Sequence, residues 1–206
     1  MKPIAITCGD PAGVGPEIVT RWLQEHPEHR ADATLIGPEP WLRTLPEGAT
    51  QAVGDRDFTA TLGKPTEAGA HIAAEALEEA AMGCREGRYR AVVTAPVSKE
   101  WMQRIGWNFP GQTEFFADRW HGEPSMAFAG GQLRVVLATW HIPLESVPRA
   151  IDEPTLTRAV KNADFLARRL GAQQPRIGVC GVNPHAGEGG ILGLEESGVI
   201  DPLIRE

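Results

Sequence analysis

Short apolar runs rich in β-branched residues alternate along the chain with longer segments whose apolar positions recur at helical spacing. The runs are Pro3–Thr7, Ala33–Ile36, Ala91–Thr94, Leu133–Ala138 and Ile177–Cys180. Each has the length of a strand, and their nearly continuous apolar character suits strands covered on both faces. Between them, Glu67 to Cys84 is rich in Ala, Glu and Leu, and Gly87 follows as a stop. A second helix is expected from about Glu153 to Leu170. Asp152 and Glu153 stand at its start with Pro154 in the first turn, Arg168 and Arg169 stand at its end, and Gly171 lies beyond, in agreement with the helix dipole and with capping preferences. Shorter helices are expected from near Pro16 and after Gly111. This alternation predicts an α/β protein with a three-layer, mostly parallel sheet. Turn residues and weak periodicity from Pro38 to Lys64 predict little regular structure there.

Composition narrows the function classes. In 206 residues, 42% are hydrophobic and 23% charged, the balance of a globular chain. A formal net charge of -7, with no basic run interleaved with aromatics, argues against nucleic-acid binding. The opening MKPIAITCGD is not a signal peptide, and no window approaches the roughly 20 apolar residues of a membrane span, so a cytoplasmic protein without membrane partners is expected. Cys8, Cys84 and Cys180 have no CxxC spacing and are expected to be structural.

Four stretches depart from what packing alone requires. Gly9-Asp10-Pro11-Ala12-Gly13-Val14-Gly15-Pro16-Glu17 leaves a strand and enters a helix, where glycines let the backbone approach a ligand and a helix N-terminus offers free N–H groups. It is neither a Walker A loop nor a GxGxxG fingerprint. A tight turn explains the pattern equally well. Thr94-Ala95-Pro96-Val97-Ser98-Lys99 places a polar cluster at the carboxyl end of a strand, the usual mouth of an α/β site, although Lys99 also suits a solvated surface. In Pro110-Gly111-Gln112-Thr113-Glu114-Phe115-Phe116, Gln112 and Thr113 are candidate substrate contacts, and capping accounts for Thr and Glu as well. Finally, His141 in Leu137-Ala138-Thr139-Trp140-His141 and His185 in Cys180-Gly181-Val182-Asn183-Pro184-His185 both follow strand-like runs. Two imidazoles at neighbouring strand ends can share a zinc, cobalt or manganese ion, given a third ligand.

Taken in order, GDPAGVGPE, TAPVSK, PGQTEFFA, LATWHIPL and CGVNPHAGEGG resemble the 4-hydroxythreonine-4-phosphate dehydrogenases of pyridoxal phosphate biosynthesis, the PdxA family, over nearly the whole chain. The resemblance implies an isocitrate/isopropylmalate dehydrogenase-like fold with a first α/β domain over 1–124 and a second, incomplete one over 125–206. It implies a homodimer, NAD or NADP, and a divalent metal such as zinc, cobalt or magnesium. His141 and His185 are then two of three histidine ligands. Thr113 matches the family's substrate-binding threonine, with Gln112 where histidine is usual. Gly9, Asp10 and Gly13 are assigned to the dinucleotide, and Lys99 is the candidate catalytic residue through its hold on anionic groups of the ligand.

The implied reaction is metal-assisted oxidation of 4-phosphohydroxy-L-threonine to the 3-oxo acid, which loses CO2 to give 3-amino-2-oxopropyl phosphate. Gln112 cannot carry a proton or charge as histidine can, which leaves open a related dehydrogenase acting on a sugar-acid phosphate or an aromatic cis-diol. The family's third metal histidine, in a Tyr-His-Asp-Gln-Gly motif, has no counterpart here, so a truncated chain is expected. A non-catalytic metal- or phosphate-binding remnant and a metal-dependent hydrolase are the alternatives outside the dehydrogenase class.

Overall fold

The computed structural model describes residues 1–205 and divides into two compact units, Met1–Gly122 and Glu123–Glu206, each treated by itself. The first unit holds four strands, β1 (Ile4–Thr7), β2 (Ala33–Gly37), β3 (Ala49–Ala52) and β4 (Ala91–Thr94), all parallel, in the order β3-β2-β1-β4. Five helices accompany them: α1 (Gly15–Glu25), α2 (Glu39–Leu42), α3 (Glu67–Arg85), α4 (Lys99–Arg104) and α5 (Gln112–Trp120).

Alternating side chains of the strands feed two cores. Ile6, Ala33 and Leu35 pack with Val19 and Leu23 of α1 on one face. Ala5, Cys8 and Ile36 pack with Ile72, Ala76 and Ala80 of α3 on the other. These are the three layers that the apolar runs predicted, because a strand covered on both faces has no polar side to give away. The outer side of α3 buries Ala73, Leu77 and Ala81 against Met102 of α4 and Phe115 of α5. Of the paired phenylalanines, Phe115 is fully buried and Phe116 only partly. The segment 38–64 is more ordered than its weak periodicity suggested. Pairing with β2 makes β3 a strand although all four of its residues are exposed, so hydrogen bonding rather than burial specifies it.

In the second unit, β5 (Ala127–Gly130) and β6 (Leu133–Val136) form an antiparallel hairpin, followed by α6 (Val147–Ala150), α7 (Glu153–Arg169) and α8 (Asp201–Arg205). The ends of α7 match the sequence signals. Asp152 accepts an N–H from Thr155 at 2.9 Å, Arg168 and Arg169 close the last turn, and Gly171 turns away at φ 96°.

Two expected strands differ. The Leu133 run stops at Val136 and pairs with its immediate predecessor, because Gly131, at φ 52°, makes a two-residue turn that lets a local hairpin form. Ile177–Cys180 joins no ladder among the described residues, and Cys180 is exposed rather than packed as a structural thiol. Its apolar run resembles that of a buried strand, but nothing pairs with it. No helix among the described residues is long and apolar enough to cross a membrane.

Candidate functional site

Strand order determines where the first unit can hold a ligand. From β1 the chain moves outward through β2 to β3, then returns to add β4 on the other side of β1. The order therefore reverses between β1 and β4. In parallel sheets, the loops leaving two such strands diverge to opposite faces and open a crevice at their carboxyl ends.

The two loops at this switch point are Gly9–Gly15 and Ala95–Ser98, and they lock together. The Asp10 N–H donates to the Pro96 carbonyl at 2.9 Å. Gly9, at φ 68°, lies so close that a β-carbon there would overlap the Pro96 carbonyl oxygen and stand 2.9 Å from the Ala95 carbonyl carbon. A β-carbon on Gly15 would likewise overlap the Cys8 carbonyl and meet the Ala95 methyl at 2.9 Å. Two of the glycines are thus required by close approach of the two loops. Asp10 is buried, and its Oδ1 accepts the Ala12 N–H at 2.9 Å while its carbonyl accepts the Gly13 N–H at 3.0 Å, a compact turn that presents Gly13. Gly63, from the turn ahead of α3, donates its N–H to the Ala12 carbonyl at 2.8 Å.

Gln112 joins this cluster from the first turn of α5. Its Nε2 donates to the Ala95 carbonyl at 3.2 Å, while its Oε1 is buried and has no partner among the described residues. Thr7 Oγ1, at the carboxyl end of β1, is buried and unpartnered as well. Buried polar atoms are nearly always satisfied, so the Gln112 Oε1, held beside the Ala95 loop, is a candidate acceptor for a ligand O–H or N–H group. Thr113 stands beside Gln112, partly buried, and Lys99 begins α4 with an exposed side chain. Cys8 is out of play, since burial pushes its thiol up to about 12. The apolar cavity of about 550 Å³ lined by Ile4, Ile6, Ile18, Trp22 and Val93 lies elsewhere, on the α1 face toward the amino ends of the strands.

In the second unit, His141 and His185 are exposed and both adopt φ 54°. Neither stands at a strand end. His141 lies past Val136 in irregular chain, and His185 follows the unpaired run at 177–180. The His185 Nδ1 lies 2.6 Å from the Glu188 Oε2. A carboxylate on Nδ1 puts the proton there and leaves Nε2 with its lone pair, the arrangement usual for metal-bound imidazole. That arrangement leaves the His185 Nε2 available as a donor to a divalent ion. No group of three or more His, Cys, Asp or Glu residues able to hold a metal occurs among the described residues.

From His185 to Gly189 the backbone runs through five consecutive left-handed residues. His185, Ala186 and Glu188 are not glycine, and each costs about 1–2 kcal/mol in this conformation. The turn is held by Glu196. Its Oε1 accepts the N–H groups of Val182 (2.8 Å) and Asn183 (2.7 Å), and its Oε2 accepts the Asn183 amide at 3.0 Å. Sequence reasoning missed this residue, since a lone glutamate in a polar stretch reads as a solvated side chain. Only its burial distinguishes it.

The Asn183 side chain and the two N–H groups hold the Glu196 carboxyl down at about 2. A depressed carboxylate contributes stability that is present above its unfolded value and lost as pH falls through the folded value. Amide protection at Val182 and Asn183 is therefore expected to hold down to about pH 4.5 and to disappear between there and about pH 2, as hydrogen exchange across that range would show.

A three-layer unit with a parallel sheet and glycine-rich loops at its switch point defines the class of α/β proteins to which the first unit belongs. Within that class the match is specific. The family model described as pyridoxal phosphate biosynthetic protein PdxA matches residues 23–206, and the chain belongs to that family. The 4-hydroxythreonine-4-phosphate dehydrogenase of Zymomonas mobilis subsp. mobilis is 36% identical over all of this chain and 68% of the relative. That of Aromatoleum aromaticum is 40% identical over 98% of this chain and 67% of the relative. Among solved structures, the Klebsiella pneumoniae 4-hydroxythreonine-4-phosphate dehydrogenase superposes over the whole chain with a TM-score of 0.85 at 30% identity, covering 71% of that structure. A terephthalate 1,2-cis-dihydrodiol dehydrogenase from Burkholderia xenovorans superposes with a TM-score of 0.71 at 26% identity over 99% of this chain and 69% of its own.

Proposed function

We propose that the chain carries the strand-end site of a nicotinamide-dependent secondary-alcohol dehydrogenase of the PdxA family, with 4-phosphohydroxy-L-threonine as substrate and a role in pyridoxal phosphate biosynthesis. The observation that carries this reading is the cluster at the β1/β4 switch point, where the Gly9 loop, the Ala95–Pro96 loop and Gln112 converge and the Gln112 Oε1 is without a partner among the described residues. The relatives' names supply the reaction class, and the site supplies the means of holding a polar ligand.

In this reading, Gln112 Oε1 accepts a hydrogen bond from a substrate O–H or N–H group while its Nε2 stays tied to Ala95. Thr113 adds a hydroxyl that both donates and accepts, and the Lys99 ammonium attracts the phosphate. Gly9, Asp10 and Gly13 form the backbone surface offered to the dinucleotide. NAD or NADP supplies the two-electron hydride acceptor. In the second unit, His141 and His185 would supply two ligands of a divalent ion, zinc, cobalt or magnesium, whose chemistry would be that of a Lewis acid toward a hydroxyl oxygen. The 3-oxo acid so formed loses CO2. A homodimer is part of the proposal, as family membership suggests, and a cytoplasmic location accompanies it.

Aromatic cis-diols are the second reading, favoured by the superposition on the dihydrodiol dehydrogenase and by glutamine, whose neutral amide needs no anionic partner. The experiment is a comparison of kcat/KM for 4-phosphohydroxy-L-threonine, a sugar-acid phosphate and an aromatic cis-diol, for the chain and for Gln112→Ala. A single lost hydrogen bond should cost on the order of tenfold in kcat/KM for the phosphorylated hydroxy amino acid. A preference for the cis-diol would overturn the substrate assignment. An unchanged kcat/KM in Gln112→Ala would remove Gln112 from the site.

A further inference from the structure

Glu196 is a buried carboxylate without a countercharge. Its relative exposure is 4%, yet among the described residues no Lys, Arg or His forms an ion pair with it. Burying an unpaired charge is costly unless hydrogen bonds replace its water. Here all the donors come from one place, the two residues ahead of Pro184-His185. The same carboxylate closes on the far side of the turn, since a β-carbon on Gly187 would stand 3.0 Å from Glu196 Oε2 and 2.9 Å from the Gly193 carbonyl. Asn183 completes the grip by sharing its amide with Glu195 Oε2 at 2.7 Å. The left-handed turn that aims His185 is thus fastened at its entrance by one side chain, which also leaves little room for a β-carbon at its middle. Strained backbone of this kind persists only where its surroundings over-determine it.

We infer that Glu196 is a positioning residue for His185: with Asn183 as its bridge, it holds the left-handed turn in the one conformation that presents the imidazole. Its part in function rests on the reading of His185 as a metal ligand. Its part in holding the loop does not. The charged-acceptor geometry explains why a carboxylate is needed, because an amide in its place would aim its own N–H₂ at the N–H groups or at the Asn183 amide.

The test uses the chain with Glu196→Gln, Glu196→Ala, Asn183→Ala and His185→Ala, reading two quantities: hydrogen exchange across 181–193 and the affinity for Co²⁺ followed by its visible absorption. Glu196→Ala and Asn183→Ala are expected to raise exchange in the turn at least tenfold and to weaken Co²⁺ binding about 10- to 100-fold, the range found when outer-shell partners are lost. Glu196→Gln should fall between them and the parent, with α7 protection unchanged in all. Unaltered exchange in both Glu196 variants would overturn the inference, as would a loosened turn whose Co²⁺ affinity matches that of the parent. If His185→Ala binds Co²⁺ as the parent does, the metal reading fails. The exchange data still decide whether Glu196 holds the turn.

Discussion

Gly9→Ala is expected to destabilise the first unit by about 3 kcal/mol and to lower its unfolding midpoint by roughly 10 °C. Two effects add. An alanine at φ 68° is strained by about 1 kcal/mol wherever it occurs. Its β-carbon would also overlap the Pro96 carbonyl, which cannot move away without breaking its 2.9 Å hydrogen bond from the Asp10 N–H. Overpacking of this kind typically costs 1–3 kcal/mol. Because the strained contact is the one that joins the two switch-point loops, substrate affinity should fall together with stability. Calorimetric melting of the parent and Gly9→Ala chains checks the first effect. A midpoint within two degrees or so of the parent would mean that the loops are not in contact as described.

The second large effect belongs to His185. Replacing it with alanine removes the imidazole lone pair, and the Glu196 carboxylate cannot take its place because it is occupied by Val182 and Asn183. Co²⁺ or Zn²⁺ affinity is expected to fall on the order of a hundredfold, and His141→Ala should cost a similar amount. Neither side chain is buried, so neither substitution should shift the unfolding midpoint appreciably. Equal loss of metal without loss of stability would identify ligands. A stability loss with metal binding retained would make these histidines structural.

The layered core was legible in the sequence because burial writes itself into composition. β1 and β2 are apolar runs buried almost throughout, β4 is a run of the same kind although none of its residues is buried, and α3 and α7 carry their stops and caps in the residues themselves. What could not be read was pairing. The Leu133 run promises a strand but not its partner, and Gly131 decides for a hairpin. Ile177–Cys180 shows that an apolar run specifies a strand only when another strand is there to receive it.

The site divides along the same line. Gly9, Asp10 and Gln112 were marked by residue type, but their convergence depends on strand order, which no local pattern contains. His141 and His185 were marked by their neighbours, while the left-handed turn at 185–189 was hinted at only by its glycines. Glu196 carried no local signal at all. Its importance comes from being buried against backbone N–H groups, a relation between residues far enough apart in sequence that only folding brings them together.

The most direct test of the account is reduction of NAD or NADP by the chain with 4-phosphohydroxy-L-threonine, followed by nicotinamide absorbance with and without added divalent metal, for the parent, Gln112→Ala and His185→Ala. The account predicts metal-dependent reduction, slowed on the order of tenfold in Gln112→Ala and abolished in His185→Ala. Reduction that proceeds equally in all three, or metal binding and folding intact with no reduction of either nucleotide, would contradict it.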